Sequence, residues 1–291
     1  MFGQPRKSRD NRIRWRDETP WGRKMTLCIG TICQQDTARP RIIFCSDTKV
    51  AGGPASAEIG DKVSFLMERW PALKAGKLAR AEELLSTYAM YFRGRRLTEL
   101  NVLDEFKKPP ELQKHKRADE LVRGRLGISY EQLLRRGKKE IPRKTRERIF
   151  DDIELLTLDC DLIFGGFIRN EPYLFGIDGT EALAIYEEHF YAIGSGAPIA
   201  NASLFQRKYH CDLDLDLAIY YVYEAKKLGQ VNPDVGEATY IDVLRPGKNG
   251  RVLVQSMTDE GVEFLYEKFK KFGPQKAEGK IKLERKFFEA L

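Results

Sequence analysis

No stretch of this 291-residue chain is both long and apolar. Every hydrophobic run stops short of the roughly 18–20 residues that a helical membrane span requires, so an integral membrane protein of that kind is not expected. The five cysteines (Cys28, Cys33, Cys45, Cys160, Cys211) show no CxxC or CxxH spacing, so neither a zinc knuckle nor a disulfide framework is supported. A reduced, cytoplasmic protein is therefore the expectation. Only three histidines occur, His115, His189 and His210, without HExxH or HxH spacing, so no metal is expected. Neither GxxxxGK[ST] nor GxGxxG is present, which removes the phosphate cradles of those kinds, and no cofactor is expected. The DLDLD run at 212–216 lacks the glycine and distal glutamate of a calcium loop. It reads instead as acids suited to a helix N-terminus.

What is present is an ordinary globular composition, 42% hydrophobic and 11% aromatic. A formal charge of +7 is unevenly spread. Residues 1–24 hold eight Lys/Arg against three Asp/Glu, and residues 91–150 hold eighteen against nine, so the rest of the chain is acidic. The basic blocks lack the interleaved aromatics of a base-stacking platform, which favours solvated charge over nucleic-acid binding. The first 24 residues have no apolar stretch behind their charges and read as a disordered extension or removable leader, not a secretory signal.

Order is expected from TLCIGTI (26–32), which pairs with RIIFCSD (41–47) as a hairpin. The small residues at 51–61 read as a loop, followed by a strand at 62–67. Apolar positions Leu78, Ala81, Leu84, Leu85 and Tyr88 recur at helical spacing. Residues 94–150 form a basic insertion of helical surface pieces, interrupted by Pro109–Pro110, with a capping box at Ser129 and Gln132. Strands are expected at 159–167, 171–178 and 189–195, helices from 197 and across 214–229, strands at 238–246 and 251–257, then a last helix. Residues 26–272 thus make one domain and 273–291 a polar tail. Strands, then helices, then strands again indicate an α+β class with layered sheets.

Two nucleophile arrangements compete. IGSGA around Ser195 lacks the outer glycines of a GxSxG elbow, since Ile193 and Ala197 stand there, and reads as a turn before a helix. Thr26 follows Met25 and opens the first strand. Exposed as a first residue, a threonine carries both a nucleophilic hydroxyl and a base, its own α-amine, which titrates near pH 8. Such a site also needs an acid, a lysine and an oxyanion donor.

In these residues the chain resembles proteasome β-type subunits, including the bacterial HslV-type peptidases. Thr26 with Gly30 four residues on, Ser46-Asp47-Thr48-Lys49, Asp61-Lys62-Val63, LIFGGF…PYLFGID…YAIGSGAPIA and PDVGEATYIDVL follow the family's order over about 26–90 and 158–256. The resemblance implies a four-layer αββα sandwich of the N-terminal-nucleophile hydrolase class. It implies a threonine endopeptidase acting on peptides or unfolded protein, built as a ring of identical or related subunits, with an ATP-dependent unfoldase as a possible partner. By the same resemblance Thr26 is the nucleophile, Asp47 pairs with Lys62, Lys62 stabilises developing charge, and the Gly76 N–H receives the oxyanion. Ser195 supports the amine, Asn232 or Asp234 occupies the supporting late-acid position, and Lys74 and Leu78 line the substrate pocket. The chain departs from the family in a longer loop between Gly30 and Asp47, in Glu237 at the second late glycine, and in having no glycine before Thr26. The other readings are a catalytically silent scaffold subunit of the same fold, an amidase acting on small molecules, and a docking module built on residues 91–150.

Overall fold

A computed structural model describes residues 26–47, 49–52, 55–58, 63–66, 69–179, 181–185, 188–273 and 281–288. Its β-branched and aromatic runs pair as antiparallel strands. β1 (Leu27–Cys33) and β2 (Arg41–Ser46) form the expected hairpin, with Cys28 opposite Ser46 and Cys33 opposite Arg41. β3 (Lys49–Gly52) and β4 (Ala55–Glu58) make a small ribbon, so part of the segment read as a loop is extended. β5 (Val63–Leu66) pairs with β6 (Trp70–Gly76), a strand whose Pro71 and paucity of β-branched residues hide it in the sequence.

Four helices follow: α1 (Leu78–Phe92), α2 (Val102–Leu126), α3 (Tyr130–Glu140) and α4 (Arg143–Glu154). After them come β7 (Cys160–Ile168), β8 (Glu171–Asp178), β9 (Glu181–Ala184) and β10 (Phe190–Gly194). α5 (Ala197–Gln206), α6 (Leu215–Gly229), β11 (Tyr240–Pro246), β12 (Val252–Ser256) and α7 (Asp259–Phe272) complete the order. Among the described residues the architecture is α+β, with two five-stranded antiparallel sheets ordered β10-β1-β2-β11-β12 and β5-β6-β7-β8-β9. No described helix is long and apolar enough to cross a membrane.

Alternation along β1 divides its side chains between two cores. Leu27, Ile29 and Cys33 join residues of α5 and α6, whereas Cys28 and Ile32 meet Leu73, Ala75 and Ile163 of the other sheet. Gly30 lies where a Cβ would come within 2.8 Å of Ile163 and 3.0 Å of Leu174, so its missing side chain lets the sheets approach.

The stretch expected as separate surface pieces is corrected in its first part. α2 runs for 25 residues straight through Pro109 and Pro110, and its Phe106 is fully buried, stacked on Phe175 at 4.3 Å and edge-on to Trp70 at 5.0 Å. Proline at 110 removes the N–H that would serve the carbonyl of residue 106. The hydroxyl of buried Tyr88 on α1 donates to that Phe106 carbonyl at 2.8 Å, so the break in the ladder is filled from the neighbouring helix. α3 begins as expected, with Gln132 N–H donating to Ser129 Oγ at 3.1 Å and Ser129 N–H to Gln132 Oε1 at 2.8 Å.

Candidate active site

Thr26 stands immediately before β1, at the end of the strand next to β10, and is only 3% exposed. Asp47 follows the last residue of β2 and is fully buried. The antiparallel register that sets Cys28 opposite Ser46 brings the two together. Thr26 Oγ1 donates to Asp47 Oδ1 at 2.6 Å, and the same oxygen accepts the Leu27 N–H at 3.2 Å. Asp47 Oδ2 accepts the Gly236 N–H at 2.6 Å. A buried carboxylate is held only where hydrogen bonds replace its water, and here two backbone donors and the threonine hydroxyl do so.

The turn after β10 holds the other side of Thr26. Gly194 has φ +95°, and a Cβ there would sit 2.2 Å from the Thr26 carbonyl oxygen, so glycine is required twice over. That oxygen accepts from Ser195 Oγ at 3.3 Å and from Gly196 N–H at 3.4 Å. Ser195, expected to support the amine, thus reaches the carbonyl of Thr26. Asn232 Nδ2 donates to the Ser195 carbonyl at 2.9 Å, and the Asp234 N–H donates to Asn232 Oδ1 at 3.0 Å. Of the two residues expected at the late position, Asn232 braces the turn through its side chain, and Asp234 enters through its backbone.

Lys62 lies outside the described residues, so its pairing with Asp47 has no geometry here. Gly76 ends β6, opposite Cys160 on β7, with φ +89° and a Cβ position 2.8 Å from the Asp159 carbonyl. The C-terminal end of β6 is drawn to the start of β1: Cys28 Sγ meets the Lys74 carbonyl at 3.4 Å, and Cys28 and Ala75 share one apolar cluster. The Lys74 ammonium turns to Glu82 on α1 at 2.6 Å, while Leu78 at the head of α1 is half exposed.

Two further residues position the site. Lys226 on α6 is fully buried, and its Nζ donates to the carbonyls of Gly236 at 3.0 Å and Glu237 at 2.8 Å. Gln230 Nε2 donates to the same two carbonyls at 2.8 Å. Together they fix the loop whose Gly236 N–H grips Asp47. Lys226 carries a sequence signal, since it falls on the apolar stripe Ile219, Val222, Lys226 and Gly229, where an unsolvated lysine is out of place. Cys45, fully buried on β2, has its thiol pushed up to about 12 by burial, with nearby Lys226 opposing the shift, which disfavours the thiolate.

Among the described residues, no group of three or more His, Cys, Asp or Glu side chains is arranged to hold a metal ion. No protein-family model matches the chain, and no curated protein matches it. The arrangement offers a hydroxyl hydrogen-bonded to a carboxylate, on a main chain pinned on both sides.

Proposed function

We propose that this chain is a proteasome-like threonine endopeptidase of the N-terminal-nucleophile class, folded as a four-layer αββα sandwich. The observation that carries the reading is the 2.6 Å bond from Thr26 Oγ1 to buried Asp47 at the mouth of the first hairpin. The order of apolar clusters supports the layering: α5 and α6 pack on the β1 sheet, α1 and α2 on the β6 sheet, with a third cluster between the sheets.

Once the residues before Thr26 are removed, its amine becomes the base. Oγ1 attacks the substrate carbonyl carbon while the hydroxyl proton passes to the amine. The oxyanion is received by the Gly76 N–H, and Lys62 balances the developing charge. The protonated amine then gives its proton to the departing amine of the substrate. Water, activated by the same amine, splits the Thr26 ester and restores the site. Asp47 acts as a positioning residue, and Gly194, Ser195 and Gly196 hold the Thr26 carbonyl in place. Assembly into a ring of identical or related subunits, with an unfoldase feeding unfolded chains, belongs to this reading.

The low exposure of Thr26 favours one second reading, a silent scaffold subunit in which residues before Thr26 are retained. Intact mass and N-terminal sequencing of protein made from the full reading frame separate the two. A chain beginning at Thr26 that cleaves a fluorogenic peptide, with turnover reduced about a thousandfold or more in Thr26→Ala, is the expected result. Unchanged turnover in that variant would sink the mechanism. A chain that keeps residue 25 and shows no turnover would leave the scaffold in its place.

A further inference from the structure

At the end of β6 remote from Gly76, about 20 Å along the strand by its rise per residue, lies a cavity of about 540 Å³. Four arginines line it, and they come from three separate connections. Arg69 precedes β6, Arg95 and Arg96 follow α1, and Arg169 occupies the tight turn between β7 and β8. Buried Trp70 contributes to its wall, and Gly250 in the β11–β12 connection completes it. No aspartate or glutamate is among the described lining residues.

Nearby carboxylates compensate only part of this charge. Arg95 meets Glu105 at 3.5 Å and lies over the Tyr91 ring at 4.1 Å, and Arg169 meets Glu99 at 3.6 Å. Arg69 and Arg96 have no ion-pair partner among the described residues. Two guanidinium charges, solvated but without a carboxylate, therefore face one concave space, an arrangement that attracts an anion. Guanidinium forks match phosphate oxygens two at a time, which a lysine cannot do. The volume lies within the range of small-molecule pockets, roughly 300–1,000 Å³, and exceeds what a single inorganic anion needs.

From these observations we infer that this pocket binds a small phosphorylated anion carrying at least two negative charges, at a site separate from Thr26. Arg69 and Arg96 supply the uncompensated charge, and Arg95 and Arg169 close the remaining sides. The inference stands whether or not Thr26 is a nucleophile.

The test is calorimetric titration of the full-length protein at low salt with inorganic pyrophosphate, and then with ADP as an organic phosphate that fills more of the cavity. Saturable one-to-one binding of both, in competition with each other and weakening as salt rises, is expected. Joint replacement Arg69→Ala and Arg96→Ala should weaken pyrophosphate about tenfold or more. Arg169→Gly provides a second variant that the fold tolerates, because residue 169 holds φ +49° in a two-residue hairpin turn that glycine adopts freely. It should also weaken binding. Absence of saturable binding to folded wild-type protein would overturn the proposal, as would affinity unchanged in both variants. A single-stranded RNA oligomer that binds with a steep salt slope and is not displaced by pyrophosphate, on a protein that does not bind pyrophosphate alone, would assign these arginines to nucleic acid instead.

Discussion

The two helical coverings of the sheets differ in how much of their charge they bury. On the β1 sheet, α5 and α6 bury theirs. Arg207, following α5, clasps Glu224 of α6 in a two-pronged pair at 2.7 and 2.6 Å with Glu224 only 1% exposed, and the buried Lys226 ammonium donates to the Gly236 and Glu237 carbonyls. On the other side α2 buries Arg117, whose guanidinium donates to the Thr157 and Leu158 carbonyls. But α2 and the α3 and α4 helices packed on it carry most of their charge outward, in pairs such as Arg123–Asp119, Arg135–Glu131 and Arg143–Glu147. The α5–α6 side thus buries a two-pronged ion pair and a lysine, and the other side, Arg117 apart, carries its charge in exposed pairs. Buried pairs cost heavily when half of one is removed, whereas exposed pairs contribute little, so substitutions on the two sides should differ sharply.

Arg207→Ala should be the most damaging, because it leaves the Glu224 carboxylate buried and alone. A loss of about 3–5 kcal/mol is expected in chemical denaturation, and Arg207→Ala with Glu224→Leu should recover part of it. A loss under about 1 kcal/mol would mean that this pair is no more important than a surface one. Lys226→Met removes the cation from the Gly236 and Glu237 carbonyls, with about 2 kcal/mol of destabilisation. On the peptidase reading it should also lower kcat more than it raises KM, since Gly236 positions Asp47. An unchanged kcat with normal folding would make Lys226 purely structural.

The outer side has one pair worth a pH experiment. Glu83 on α1 sits between Lys116 at 2.7 Å and Arg80 at 3.0 Å, and the Lys116 bond above all lowers its carboxyl from the usual 4.5 to about 2. Because the folded value lies below the unfolded one, its stabilisation is complete above about pH 4.5 and is lost as pH falls through about 2. Its side chain is 27% exposed, so solvent screening keeps the effect modest. Glu83→Gln should therefore lower Tm at pH 6 and match the wild type near pH 2, and an equal offset at both values would break the link to titration. Smallest of all, Arg135→Ala on exposed α3 should change stability by no more than about 0.5 kcal/mol.

The same contrast governs what could be read in advance. The β1–β2 hairpin, α1, the helices from Ala197 and Leu215, and the capping box at Ser129 follow from local pattern, because each answers to residues a few positions apart. β6 was not visible, since Trp70-Pro71-Ala72-Leu73 has little strand character and becomes a strand through pairing with β7. The continuity of α2 across two prolines was hidden too, because the hydroxyl that fills the missing bond comes from Tyr88 on another helix.

By itself the sequence determined the alternating strands, the amphipathic helices, the lone threonine ahead of the first strand and the uneven charge. It also supplied Asp47, Ser195 and Asn232 as members of a possible group. Only the tertiary structure decided that Asp47 holds the Thr26 hydroxyl, that Ser195 reaches the Thr26 carbonyl, and that Lys226 and Gln230 pin the loop behind them. It alone decided that Arg69, Arg96 and Arg169 face one cavity. The physical reason is range: propensity and periodicity act over one or two turns of chain, whereas hydrogen bonds between residues as far apart as 47 and 236 exist only once antiparallel register and helix packing have brought them together.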